Sequence, residues 1–308
     1  MSFAVPPEVL KFAASGPGWE SWVRRLPGLA ASVLEEWDLA VDGEPTSGWT
    51  ALVLPVRADD GTPAMLKLRG PGDEGAHEHV ALQRWGGDGA VRLIRADPAR
   101  RALLLERLHP RDLREVEVVE ACEVVAALYS RIHVPAPPQL RTQTSFVQEW
   151  LDGLAALPRD SPIPRRMVEQ ALSLGRDLVT DPASTGTMVH GDLHYENVLA
   201  GDRAPWLVID PEPTNGDPHF EPVPLLWNRW DEIAAEAPTT RDAVRRRFHT
   251  VVDAAGLEER RAVAWVVVRM VVNAFWSVED AAREARPLRP EELEWITRCV
   301  VIAKAVQE

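Results

Sequence analysis

Asp192, Asn197 and Asp210 are the residues of this chain whose types and spacing suit a defined chemistry. The first two lie in His190-Gly191-Asp192-Leu193-His194-Tyr195-Glu196-Asn197, and the third closes the apolar run Trp206-Leu207-Val208-Ile209. In a phosphoryl transfer one carboxylate positions the attacking hydroxyl, while an amide and a second carboxylate hold Mg²⁺ on the nucleotide phosphates. His190 and His194, four apart, also have a zinc spacing if they sit on a helix. Gly191 and the loop-like Tyr-Glu-Asn segment speak against a helix there, and no third nitrogen or sulfur ligand is evident. A hard, oxygen-rich set suits Mg²⁺ better, and His190 is expected to hold the loop by hydrogen bonds.

Such a trio needs a nucleotide site upstream. Lys67 stands between Leu66 and Leu68, so a strand there turns it away from the face that buries the leucines. That lysine can reach the α- and β-phosphates, although an outward, solvated lysine has the same pattern. On the helix expected over 73–85, Glu78, Leu82 and Trp85 share one face, so Glu78 is the preferred ion-pair partner for Lys67. Glu74, one turn earlier on the same stripe, is the other candidate. The only glycine placed to approach phosphate is Gly48 in Thr46-Ser47-Gly48-Trp49, which lacks a phosphate-loop signature and reads equally well as a hairpin turn.

The elements that position these residues follow from the hydrophobic pattern. Residues 7–36 read as helix, broken near Gly16-Pro17-Gly18 and again at Pro27. Strands follow at 37–41, 51–56 and 64–68, with Asp60-Gly61 as a tight turn. Beyond the helix, a hairpin of 91–95 and 102–107 turns at Asp97-Pro98. This is a small antiparallel sheet with one helix, an α+β lobe over residues 1–107. Helical periodicity governs residues 108–308, at 113–132, 145–157, 162–179, 240–254, 258–283 and 290–306.

Composition narrows the function class. A formal charge of −13 with 26% charged residues argues against a non-specific nucleic-acid binder, and it suits a cationic small-molecule partner. Cys122 and Cys299, without metal-ligand spacing, fit a reducing cytoplasm. The first residues carry no signal-peptide pattern, and no apolar run approaches the roughly 20 residues of a membrane span. A soluble cytoplasmic protein is expected.

The motif resembles the aminoglycoside phosphotransferase family, in its streptomycin 6-kinase and hydroxyurea phosphotransferase branch. The likeness rests on His190 through Leu199, on Ile209-Asp210-Pro211-Glu212-Pro213 and on Gly216-Asp217-Pro218. Leu66-Lys67-Leu68, Trp85-Gly86-Gly87-Asp88-Gly89, Leu104-Leu105-Glu106-Arg107-Leu108, His133-Val134-Pro135-Ala136-Pro137-Pro138 and residues 273–280 match as well. The resemblance implies a bilobal protein-kinase-like fold, ATP and Mg²⁺, and transfer of the γ-phosphate to a hydroxyl. It implies Asp192 as the catalytic aspartate, Asn197 and Asp210 as metal ligands and Lys67 as the nucleotide lysine. Glu106, Arg107 and Leu108 match the segment whose backbone meets adenine.

One departure is His219-Phe220-Glu221-Pro222-Val223-Pro224, where this branch tends to continue with an aromatic and an acid such as Phe-Asp-Leu. The stretch is expected to border the acceptor. For a cationic hydroxylated acceptor the candidate contacts are Glu212, Asp217, Glu221, Glu279 and Asp280, with Trp276 as a stacking surface. A metabolite kinase of the same fold, a non-catalytic nucleotide-binding pseudokinase and a zinc hydrolase are the competing expectations.

Overall fold

In a computed structural model the described residues are 4–72 and 75–307. Glu74, one of the two expected partners of Lys67, lies outside them. The chain divides into two compact units, Met1–Pro110 with Leu199–Glu212, and Arg111–Val198 with Pro213–Glu308. The segment Leu199–Glu212, assigned by the sequence pattern to the helical part, therefore belongs with the first unit.

The first unit is built on an antiparallel sheet. Its strand order is Ala40–Val41, Ala51–Arg57, Pro63–Arg69, Ala102–Glu106 and Leu93–Asp97, and Thr46–Ser47 pairs with the second of these. In the central strand alternation holds as expected. Leu66 and Leu68 are fully buried against the helix Pro17–Glu36 together with Leu26, Ala30 and Val33. Lys67 and Arg69 face the other way.

Pro27 does not break that helix, which runs from Pro17 to Glu36. Proline removes one backbone donor and costs about 3 kcal/mol in a helix interior. Here Trp22, Leu26, Ala30, Val33 and Leu34 are buried on the face that packs on the sheet, and their burial offsets that cost while Pro27 itself stays exposed. The next helix spans Glu78–Trp85 and stops at Gly86, whose φ of +57° closes the last turn in the left-handed region.

The second unit is mainly helical. Val118–Ile132 is capped by the Glu117 carboxylate, which accepts from the N–H groups of Val119 and Glu120. Gln143–Ala155, Arg165–Thr180, Thr240–Ala255, Glu259–Arg283 and Pro290–Ala305 follow, close to the expected spans. Glu259–Arg283 is the one described helix long and apolar enough to cross a membrane by length and composition. It lies in the middle of this unit's core, with residues from Trp265 to Phe275 buried. A small sheet that the periodicity did not show joins Val134–Pro135, Thr187–Val189 and Thr214–Gly216. It places the strand Thr187–Val189 directly before His190.

Candidate active site

In the first unit the expected pair of Lys67 and Glu78 is in contact. Lys67 Nζ donates to Glu78 Oε1 at 2.8 Å and to Oε2 at 2.9 Å, with both side chains buried. Lys67 also donates to Asp210 Oδ1 at 2.7 Å. A second cation shares the same carboxylates. Arg69 Nη1 lies 2.8 Å from Glu78 Oε2 and 2.9 Å from Asp210 Oδ1. Sequence reading passed over Arg69, although its spacing of two from Lys67 on one strand was the available signal.

Asp210 adopts a left-handed backbone, φ +53°, just past the two-residue strand Leu207–Val208. Such a conformation in a non-glycine residue is strained and persists only where contacts hold it. The ion pairs to Lys67 and Arg69 supply that hold.

The other first-unit candidates have different surroundings. Gly48 closes a hairpin, its N–H donating to Ala51 O at 2.9 Å, and Trp49 beside it is exposed. Glu106 accepts from Arg203 Nε and from the Arg92 N–H, so its side chain braces the chain. Arg107 reaches back to Val56 O, Ala64 O and Asp42. Leu108 approaches Gly201 so closely that a side chain there would meet Leu108 Cδ2 at 3.1 Å. Glu212 is partly buried, and its charge helps to hold Arg69 protonated.

In the second unit Asp192 is one-third exposed, on a loop fixed from several sides. Its N–H donates to His190 Nδ1 at 3.3 Å, and its backbone carbonyl accepts from Asn197 Nδ2 at 2.9 Å. Arg269 Nη2 stands 3.6 Å from Asp192 Oδ1, with its guanidinium over Phe220 and Trp227. His194 accepts from the Glu196 N–H, capping the turn Tyr195–Asn197. Both histidines thus accept through Nδ1 from N–H groups of their own turns. Asn197 spends its amide nitrogen on the loop, and its remaining donor atom is a hard carbonyl oxygen. The Asp210 carboxylate in the first unit is likewise a hard oxygen donor, of the kind that suits Mg²⁺.

In the stretch expected to border the acceptor, two of the candidate acids are buried. Glu221 is fully buried and accepts from the backbone N–H of His190 at 3.0 Å and of Gly191 at 2.9 Å. Burial opposes its ionisation, but His133, the nearby His190 and the Gly191 amide more than offset this and hold its carboxyl below the ordinary range. Asp217 is equally hidden, accepting from Trp265 Nε1, Arg261 Nε and the His219 N–H. Burial is again outweighed by the hydrogen bonds of His219 and Trp265, which keep its carboxyl low. Both acids are turned inward where a buried carboxylate finds donors, Glu221 in the His190 loop and Asp217 largely in Arg261 and Trp265 of the helix Glu259–Arg283.

Trp276 is 36% exposed and meets Trp150 edge-on at 5.1 Å. Glu279 is exposed, and Asp280 pairs with Arg283 at 2.5 Å. Arg269 is the residue of this unit that sequence reading missed. A lone arginine inside an apolar helix run was its only signal.

The sequence model described as aminoglycoside/hydroxyurea antibiotic resistance kinase matches residues 36–281. The chain belongs to that family. It is 41% identical over 281 residues to the streptomycin 6-kinase of Streptomyces glaucescens, covering 89% of this chain and 90% of the relative. It is also 41% identical over 272 residues to the hydroxyurea phosphotransferase of Kitasatospora aureofaciens, covering 86% and 77%. A solved thermostable mutant of an aminoglycoside phosphotransferase, in ternary complex with ADP and hygromycin B, superposes with a TM-score of 0.60. It covers 90% of this chain and 98% of that one at 15% identity, which carries the fold. The protein is thus an antibiotic resistance kinase with the protein-kinase-like fold, and its chemistry is phosphate transfer to an acceptor hydroxyl.

Proposed function

We propose that this kinase transfers the γ-phosphate of ATP, with Mg²⁺, to a hydroxyl of a streptomycin-like aminoglycoside and so inactivates it. The observation that carries the reading is the Asp192 loop. A partly exposed carboxylate sits on a backbone clamped by Glu221 and tied by Asn197, in a chain 41% identical to a streptomycin 6-kinase. In this reaction the protein contributes position and charge more than covalent chemistry. Asp192 receives the acceptor hydroxyl and takes its proton late in the transfer. Lys67, oriented by Glu78, holds the nucleotide phosphates. Asn197 and Asp210 offer oxygens to Mg²⁺, which when bound neutralises developing phosphate charge.

A cationic acceptor agrees with the net charge of −13. The exposed Trp276 and the acids Glu279 and Asp280 suit its guanidinium or ammonium groups. Dependence on ATP agrees with a cytoplasmic site of action. The hydroxyurea phosphotransferase relative, at the same identity, makes hydroxyurea a second acceptor to test.

The experiment is ADP release by purified protein with streptomycin, other aminoglycosides, hydroxyurea and simple sugars, with phosphorylated product identified by mass. Streptomycin phosphate is the expected product. ADP release with hydroxyurea or a sugar alone would move the acceptor assignment. Nucleotide binding without transfer to any acceptor would replace the kinase by a binding module.

A further inference from the structure

Lys67 is sufficient to pair with both Glu78 and Asp210, yet the chain supplies a second buried cation to the same two carboxylates. Arg69 is held on three sides, by Glu78, by Asp210 and by Thr50 Oγ1 at 3.3 Å. Gly75, at φ +64°, packs so tightly on the guanidinium that any side chain there would overlap it. The four charges form a closed ring in which each carboxylate touches both cations. Asp210 Oδ1 is the shared corner, 2.7 Å from Lys67 and 2.9 Å from Arg69. Burial disfavours charge on Arg69, but Glu78 and Asp210 reverse this and keep it protonated.

We propose that Arg69 is a second basic residue of the nucleotide site, one that shares Asp210 with Lys67 and turns to the nucleotide phosphates when they arrive. The inference rests on the kinase reading given above. Two cations in contact with one carboxylate oxygen oppose a divalent cation at that oxygen. Phosphate oxygens offer both cations an alternative anion, and guanidinium binds phosphate in the same forked geometry it uses for carboxylate. Asp210 is then released to the metal. Arg69 therefore couples the two ligands, so that metal binds tightly only with nucleotide, and this coupling is reciprocal. A purely structural arginine would lower stability when removed and leave the coupling unchanged.

The test uses the full chain with Arg69→Met and Arg69→Lys. Affinity for a fluorescent ATP analogue is measured in EDTA and in Mg²⁺, and Mn²⁺ binding without nucleotide is followed by electron paramagnetic resonance. For Arg69→Met the expected results are about tenfold weaker nucleotide binding in EDTA, the loss of one charge-assisted contact, and tighter Mn²⁺ binding in the absence of nucleotide. The factor by which each ligand strengthens the other falls accordingly. Unchanged affinities and coupling, with only a lower melting temperature, overturn the proposal. If Arg69→Met does not fold, Arg69→Lys decides. Its ammonium cannot fork between two anions, so metal-free nucleotide affinity should drop at least about threefold, and equality with the parent overturns the proposal. A parent protein that binds no nucleotide removes the kinase reading and this inference together. Equal binding by parent and variants removes the inference alone.

Discussion

The carboxylate of Glu221 accepts hydrogen bonds from two consecutive backbone N–H groups, of His190 at 3.0 Å and of Gly191 at 2.9 Å. The residue therefore acts on Asp192 through the peptide chain that precedes it. Glu221→Gln replaces one acceptor oxygen by an NH₂ group facing an N–H, leaving a buried donor unpaired at about 1–3 kcal/mol. We expect kcat to fall by about tenfold to a hundredfold while nucleotide affinity stays within about twofold, because only the Asp192 loop shifts. Steady-state kinetics with a separate nucleotide titration check this. A change confined to acceptor KM would return Glu221 to the substrate surface.

The same two buried acids set a pH limit on stability. Folded-state pKa values of Asp217 and Glu221 are depressed. Their contribution is complete above the unfolded carboxylate range, about pH 4, and is lost as pH falls through the lower folded values. Urea midpoints should stay level from neutrality down to that range and drop below it. Asp217→Asn should have a lower midpoint at neutral pH and a shallower acid drop. An acid drop identical to the parent's would show that other carboxylates cause it.

Asp192 and Lys67 should separate chemistry from binding. Asp192→Asn keeps the shape of the loop but removes the proton acceptor, a loss worth about 10²–10⁴ in kcat with nucleotide affinity nearly unchanged. Lys67→Met should weaken nucleotide binding and destabilise the fold by less than the roughly 3–5 kcal/mol of an uncompensated buried charge, since Arg69 still pairs with Glu78. Isothermal titration beside initial-rate measurements distinguishes the two. Near-parental turnover by Asp192→Asn would end its role as proton acceptor.

Thiol chemistry offers a check on the core. Burial raises the Cys122 thiol to about 11 and the Cys299 thiol to about 12, and both side chains are enclosed. Neither should react with a disulfide reagent at pH 8 in the folded protein, and both should react in denaturant. Rapid labelling of the native chain would show that these helices open readily.

The elements of the site differed in how plainly the chain announced them. The face of Lys67 was legible because strand alternation sets it opposite Leu66 and Leu68. Glu78 was preferred on the helical stripe it shares with Leu82 and Trp85, and the structure brings it onto Lys67. Pro27 misled because local propensity predicts a break where the burial of Trp22, Leu26 and Ala30 keeps the helix intact. Asp217 and Glu221 misled for a related reason. A carboxylate in a proline-rich loop reads as exposed, and only its partners show that it is buried.

The sequence alone determined the chemistry, since phosphoryl transfer depends on a few oxygen and nitrogen groups whose identities and local spacing are written in the chain. It also determined most of the long helices and the main strands of the first unit's sheet, because hydrophobic periodicity is a local property, but not the small sheet before His190. Only the tertiary structure decided which charges share a neighbour. Lys67 and Asp210 are 143 positions apart yet 2.7 Å from each other, and Arg269 of the helix Glu259–Arg283 comes within 3.6 Å of Asp192 in its loop. Contacts at such separations follow from how whole elements pack. They decide whether a given acid holds a loop, a cation or a substrate.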